Sequence, residues 1–71
     1  MVNMISVQSS NLRQVGYDQQ AVQLYITFHS GATYVYSGVQ QQIFDQLLAA
    51  PSKGSFFDQM VKKAGYPYTK I

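Results

Sequence analysis

Tyrosine and lysine are the side chains of this 71-residue chain best suited to binding another molecule. Tyr34 and Tyr36 stand one residue apart just after a glycine turn, and Tyr25 precedes that turn. Aromatic rings arranged along a sheet stack on unpaired nucleobases. Lysines near such rings could contact phosphates, and the candidates are Lys53, Lys62 and Lys63. These six residues are therefore the predicted nucleic-acid or partner-binding residues.

Other reactive side chains do not form a recognisable catalytic or metal-binding set. His29 is the only histidine, and the sequence contains neither cysteine nor glutamate. Ser9 and Ser10 could be combined with His29 and an aspartate as a triad, but no nucleophile elbow surrounds them. Turn closure explains these serines better. Lys53-Gly54 at a helix start is at most a weak phosphate contact. We therefore predict no enzyme activity, no catalytic residue, no metal, no cofactor and no small-molecule substrate.

Composition indicates one small domain over residues 1–71, with 46% hydrophobic and 14% aromatic residues. The net charge is only +2, and ten glutamines make the surface polar without a strong field. This argues against electrostatic capture as the main binding device. The first ten residues lack a basic region followed by a long apolar run, and no stretch resembles a membrane span. We expect a cytoplasmic protein without membrane contact.

The elements that must position the tyrosines follow from a change in apolar period. Alternating patterns predict strands near 12–17, 22–28 and 33–36, whereas later spacing predicts helices near 38–49 and 53–64. Ser37 and Gln40 have the form of a capping box, so the first helix should begin near Gly38. Ser52, or less favourably Ser55, should cap the second helix. The predicted fold is α+β: a three-stranded antiparallel meander with two helices packed on one face, in the order β-β-β-α-α.

The predicted core is the inward face of the strands together with one stripe of each helix. Phe44→Ala should accordingly cost about 3–5 kcal/mol. On the second helix, Asp58 and Lys62 should form an i,i+4 pair, and Gly65 should end the helix. The residues expected to be largely buried are Leu24, Ile26, Phe28, Val35, Phe44, Leu47, Phe57 and Val61.

The face occupied by the tyrosines depends on the length of the loop between the second and third predicted strands. A two-residue loop at Ser30-Gly31, or a four-residue loop, places Tyr25, Tyr34 and Tyr36 on the face opposite the helices. A three-residue loop shifts the register by one and turns Tyr34 and Tyr36 into the core. We expect the first arrangement, with the rings partly exposed as a platform for stacking. The alternative, which the common occurrence of half-buried tyrosine in strands favours, is that the rings pack on one another or under the C-terminal tail.

Several segments together resemble the KTSC domain family: "SSNLRQVGYD", Phe28 and Gly31, "YVY", Val39 and "SKGSFF". The resemblance spans roughly Ile5 to Ile71, and Tyr34 and Tyr36 match the family's central Tyr-x-Tyr. Gln40 departs from it, because a proline usually follows the valine. The family is named after a C-terminal extension of some lysyl-tRNA synthetases and includes short stand-alone bacterial and phage proteins. The resemblance implies no amino-acid activation.

Two functions remain from this reasoning. The first is a small non-enzymatic module that binds RNA through the tyrosines, which the synthetase context of the family favours. The second is a protein-interaction or homodimerisation domain without a nucleic-acid role, which low charge and abundant glutamine favour. The position of the lysines relative to the tyrosines should discriminate between them.

Overall fold

A computed structural model describes residues 2–71 as a five-stranded antiparallel sheet with helices packed on one face. The strands follow one another in the order β1-β2-β3-β4-β5 across the sheet. The α+β class is confirmed, but the sheet has five strands instead of the three predicted. The elements are β1 (Met4–Ser6), β2 (Leu12–Asp18), β3 (Gln23–Phe28), β4 (Thr33–Ser37), α1 (Gln41–Ala49), α2 (Lys53–Phe57), a π-helical turn (Asp58–Lys62) and β5 (Tyr68–Lys70).

The two additional strands are the edges of the sheet, and each is three residues long. β1 pairs with β2 through Ile5 and Val15, and β5 pairs with β4 through Thr69 and Val35. Three residues are too few to display an alternating apolar pattern. Each of these strands pairs with a single neighbour, and β-strand preference depends on such pairing more than on local sequence. The segment after Gly65, which was predicted to be an extended tail, contains the edge strand β5.

The helix boundaries differ from the prediction at the first helix. Ser37 belongs to β4, Gln40 occupies the N-cap position, and no side chain caps the helix. The predicted capping box is therefore wrong. Gly38 adopts a φ of 80° and donates its N–H to Val22 O, which makes a corner between β4 and α1. Ser52 occupies the predicted N-cap position of α2, again without a side-chain cap.

The hairpin between β3 and β4 has a three-residue loop, so its register is one residue away from the prediction. Gly31 N donates to Phe28 O, and Phe28 N donates to Ala32 O, both at 2.9 Å. Gly31 has a φ of 93°, the left-handed conformation that follows a type I turn in three-residue hairpins. Tyr34 consequently pairs with Ile26, where Val35 had been expected. The loop conformation, which glycine permits, decides the register.

This register places Tyr34 and Tyr36 on the face that the helices cover. Tyr36 pairs with Leu24, and its ring meets the α2 ring of Phe57 edge-to-face at 5.3 Å. Tyr36 is buried and Tyr34 is half-buried. The exposed platform opposite the helices is therefore wrong for these two residues. Tyr25 does lie on the uncovered face, where it pairs with Gly16 and Val35.

The core lies between the sheet and the helices, largely as predicted. Phe28 and Phe44 are only partly buried at its margin, and Val35 is buried on the opposite face of the sheet. No helix in residues 2–71 is long and apolar enough to cross a membrane. The buried core residues on the helix-covered side are Leu12, Val15, Leu24, Ile26, Tyr36, Val39, Leu47, Phe57 and Val61.

Candidate functional site: an aromatic groove

A groove of about 610 Å³ opens where β4 and β5 extend past the cover of the helices. Strand β4 contributes Tyr34 and Tyr36, and β5 contributes Tyr68. The π-helical turn forms the remaining wall through Lys62. We call this site the aromatic groove, and its lining residues are Phe28, Ser30, Ala32, Tyr34, Tyr36, Lys62 and Tyr68.

The rings of the aromatic groove form one contiguous cluster. Tyr68 lies 5.7 Å from Tyr34 and 5.4 Å from Tyr36 between ring centroids, with tilted planes. Phe28 contacts Tyr34 edge-to-face at 5.6 Å. These distances are typical of favourable aromatic pairs, so the rings hold one another in place. Tyr68 is 61% exposed, so a flat ligand can reach its ring.

Tyr68 is the groove residue that sequence reasoning missed. It lies in the segment predicted to be an extended tail, whereas β5 pairs Tyr68 with Tyr36. Directly paired residues share a face of the sheet, so Tyr68 joins the tyrosines of β4. The segment Tyr-Thr-Lys-Ile directly after Pro67 could have indicated a strand here, because prolines within sheets occur mainly at edge strands or strand starts.

The π-helical turn explains why Lys62 faces the groove. In a regular α-helix Asp58 would lie beside Lys62, and the sequence predicted an ion pair between these two residues. Here Lys63 N donates to Asp58 O, five residues back, and Lys63 Nζ lies 3.4 Å from Asp58 Oδ2. The wider turn therefore aligns Lys63 with the carboxylate. Lys62 has no ion pair within residues 2–71 and lines the groove. Such turns occur often at functional sites.

The other predicted lysines do not contribute to the groove. Lys53 Nζ donates to Ala50 O at 3.2 Å near the start of α2, and Lys63 is paired with Asp58. Lys70, which was not predicted, pairs with Tyr34 across β4 and β5 and lies exposed on the groove side of the edge strand. Within the described part of the chain, no carboxylate lines the groove. The site is thus weakly cationic.

Tyr25 belongs to a different surface from the other two predicted tyrosines. It lies half-buried on the uncovered face, beside a second groove that includes Met4, Thr27 and Thr33. Thr27 and Thr33 share a hydrogen bond of 2.9 Å between their hydroxyls. No lysine lines this second groove. The structure therefore brings Tyr34, Tyr36 and Lys62 together and separates Tyr25, Lys53 and Lys63 from them.

Two tyrosines have raised pKa values, for different structural reasons. Burial raises the pKa of Tyr36 above its ordinary value of 10.0, and the neighbouring hydroxyls of Tyr68 and Tyr34 add to this. Burial raises the pKa of Tyr17 as well, with a contribution from Asp18 and Asp45. Both side chains are therefore neutral at physiological pH. The Tyr17 hydroxyl donates to Val39 O at 2.6 Å, which ties β2 to the start of α1.

The residues considered for catalysis have structural roles. Ser9 Oγ accepts hydrogen bonds from Asn11 N and Leu12 N, which closes the turn before β2. His29 Nε2 lies 2.8 Å from Ser9 O, so the ring links two loops. Across residues 2–71, no group of three or more histidine, cysteine or acidic side chains could hold a metal ion.

Comparisons with known proteins agree on one family. A family model described as the KTSC domain matches residues 8–66. The chain is 40% identical over 67 residues to an uncharacterized protein of Stutzerimonas stutzeri, covering 94% of each protein. It is 34% identical over 59 residues to a lysine–tRNA ligase of Nostoc punctiforme, covering 83% of this chain and 10% of that protein. A crystal structure of a KTSC domain protein from Yersinia pestis superposes with a TM-score of 0.93 at 34% identity, covering 100% and 99% of the two chains.

Proposed function

The chain belongs to the KTSC domain family, and on that premise we propose that it is a non-enzymatic module that binds single-stranded RNA in the aromatic groove. The observation that carries the proposal is the exposed ring of Tyr68, packed on two tyrosines with an unpaired lysine in the same groove. Bases stack on aromatic rings, and a lysine beside them attracts the phosphate backbone.

A related context supports RNA over other ligands of similar chemistry. A protein named lysine–tRNA ligase, which by its name acts on tRNA, contains a segment that is 34% identical to this chain. The low positive charge of the groove suits a short strand held mainly by stacking. Duplex RNA would keep its bases stacked inside the helix, away from Tyr68. We therefore expect preference for unpaired RNA.

Fluorescence anisotropy with a labelled, mixed-sequence single-stranded RNA tests the proposal. The parent should bind at tens of micromolar, which corresponds to about 6 kcal/mol, the upper end of what two stacked bases supply. Tyr68→Ala should weaken binding by about 1–3 kcal/mol, because that ring is exposed and contributes stacking. Tyr25→Ala is the matched control, since it removes the same side chain from the opposite face of the sheet. It should leave the affinity unchanged.

Lysines provide a second matched pair for the same measurement. Lys62→Gln should reduce the slope of log affinity against log salt by about 0.7, the value for one phosphate contact on a single strand. Lys63→Gln should leave the slope unchanged, because Lys63 is paired with Asp58. No binding by the parent, or equal losses in Tyr68→Ala and Tyr25→Ala, would contradict RNA binding in this groove.

Protein contact or homodimerisation is the second candidate, and the scarcity of charge favours it. Among residues 2–71, Lys62 is the only charged residue that lines the groove, and the net charge of the chain is +2. The three-residue strands β1 and β5 also leave unpaired edges that another chain could extend. Light scattering should detect a dimer at protomer concentrations up to about 1 mM, since self-association depends on concentration. A dimer disrupted by Tyr68→Ala, without RNA binding, would favour this function.

A further inference from the structure

The floor of the aromatic groove carries a polar atom that the protein does not use in its own packing. Tyr36 is 5% exposed and lines the groove. Its hydroxyl has no hydrogen-bond partner within residues 2–71, yet every side-chain nitrogen or oxygen sealed from solvent in this part of the chain has one. The Tyr36 oxygen is therefore not sealed in the core. The ring is buried, and the hydroxyl opens into the groove.

Tyr17 and Tyr36 differ in whether their hydroxyls take part in the packing of the fold. The Tyr17 hydroxyl donates to Val39 O and so joins two elements. Phenylalanine at position 36 would preserve the edge-to-face contact with Phe57. The hydroxyl of Tyr36 thus has no structural role that the ring alone could not fulfil.

We infer that the Tyr36 hydroxyl hydrogen-bonds to the edge of a base held in the groove and thereby makes binding base-selective. The inference rests on the proposed function and specifies how that site would choose its ligand. Apolar pockets with a few well-placed polar groups obtain orientation and specificity from those groups. A hydroxyl can donate and accept, and the aromatic walls of Tyr34 and Tyr68 limit the water that competes with it.

The experiment compares three short homopolymeric RNAs, of adenylate, uridylate and cytidylate, by the anisotropy titration described above. The parent should prefer one base by roughly 3- to 10-fold, the range of one net hydrogen bond. Tyr36→Phe should bring the three affinities to within about 2-fold while its thermal stability stays close to the parent's, because the packing volume is conserved. Tyr17→Phe is the matched control, since its hydroxyl is bonded away from the groove. It should keep the preference.

Each result separates the inference from the function on which it rests. Tyr68→Ala should weaken binding of all three homopolymers alike, because stacking tolerates every base. Equal binding of the three RNAs by the parent, or an undiminished preference in Tyr36→Phe, would overturn base selection by Tyr36 and leave RNA binding intact. Absence of binding to all three would overturn both.

Discussion

Val22 is the residue at which backbone conformation and side-chain type disagree most. Its φ is 55°, the left-handed region, although it is β-branched and 38% exposed. The alternating pattern had predicted it as the first inward residue of a strand, whereas β3 begins at Gln23. A left-handed L-residue costs about 1–2 kcal/mol. The corner that Val22 forms, where its carbonyl accepts from Gly38 N, holds it there.

Replacing this side chain should stabilise the protein. Val22→Asn should raise the free energy of unfolding by at most about 1 kcal/mol, because asparagine tolerates positive φ far better than a β-branched residue. Val22→Thr keeps the branch at Cβ and should show no gain. Urea denaturation followed by circular dichroism measures both. Equal midpoints for the two variants would mean that the conformation of Val22 is not strained.

The raised pKa of Tyr36 predicts a loss of stability at alkaline pH. Because the folded-state pKa lies above the unfolded value of 10.0, the stabilising contribution is complete below pH 10.0 and disappears as the pH rises through the folded pKa. Tyr36→Phe should reduce this alkaline decline, and adding Tyr17→Phe should reduce it further. Unfolding free energies measured from pH 8 to about 12 test this. An identical decline in parent and Tyr36→Phe would contradict a raised pKa of Tyr36 in the folded state.

At the scale of elements, β1 depends on a close approach that only glycine allows. A Cβ on Gly16 would lie 2.6 Å from Met4 Sδ, 2.8 Å from Val2 Cγ1 and 2.9 Å from Asn3 O. The methionine could move, but the backbone oxygen of Asn3 could do so only if the strand shifted. Gly16 therefore sets the distance between β1 and β2.

Gly16→Ala should displace β1 and destabilise the protein by about 1–3 kcal/mol, the usual cost of overpacking. Hydrogen exchange should show faster exchange of the β1 amides at Met4–Ser6, with β3 and β4 still protected. Ser30→Ala is a suitable control, because it adds no bulk and lies at the distant hairpin loop. Unchanged protection of β1 in Gly16→Ala would show that the strand pairs without this contact.

Across the whole molecule, stability depends on a core that is small for 71 residues, so the depth of each side chain matters. Leu47 is 0% exposed, whereas Phe44 is half-buried and stacks on Tyr17 at 5.5 Å. Leu47→Ala should cost about 2–5 kcal/mol, a large fraction of the stability of a small domain. Phe44→Ala should cost less than the 3–5 kcal/mol expected for full burial.

Thermal melts of the two variants compare the contributions of these side chains directly. The lower melting temperature should belong to Leu47→Ala, with Phe44→Ala between it and the parent. The reverse order would mean that the stack on Tyr17 contributes more to stability than the buried stripe of α1.

Local apolar periodicity is enough to predict the three central strands, the existence and approximate positions of both helices, and most of the buried residues. Leu24, Ile26, Leu47, Phe57 and Val61 are buried as predicted. The sequence also identified the family, through segments spread over most of the chain. Periodicity reports which residues turn inward, and in a small domain that is most of the fold.

The face that carries the tyrosines, and the residues that surround them, could not be predicted from local periodicity. The hairpin register depends on one residue of loop length, and the left-handed Gly31 selects three residues. Tyr68 joins Tyr34 and Tyr36 through strand pairing between distant segments, which no local pattern encodes. Lys62 turns toward the groove because the helix widens after Asp58. Loop length, strand pairing and the widening of the helix together decide these outcomes. A sequence pattern could therefore indicate residues of the groove but not their arrangement.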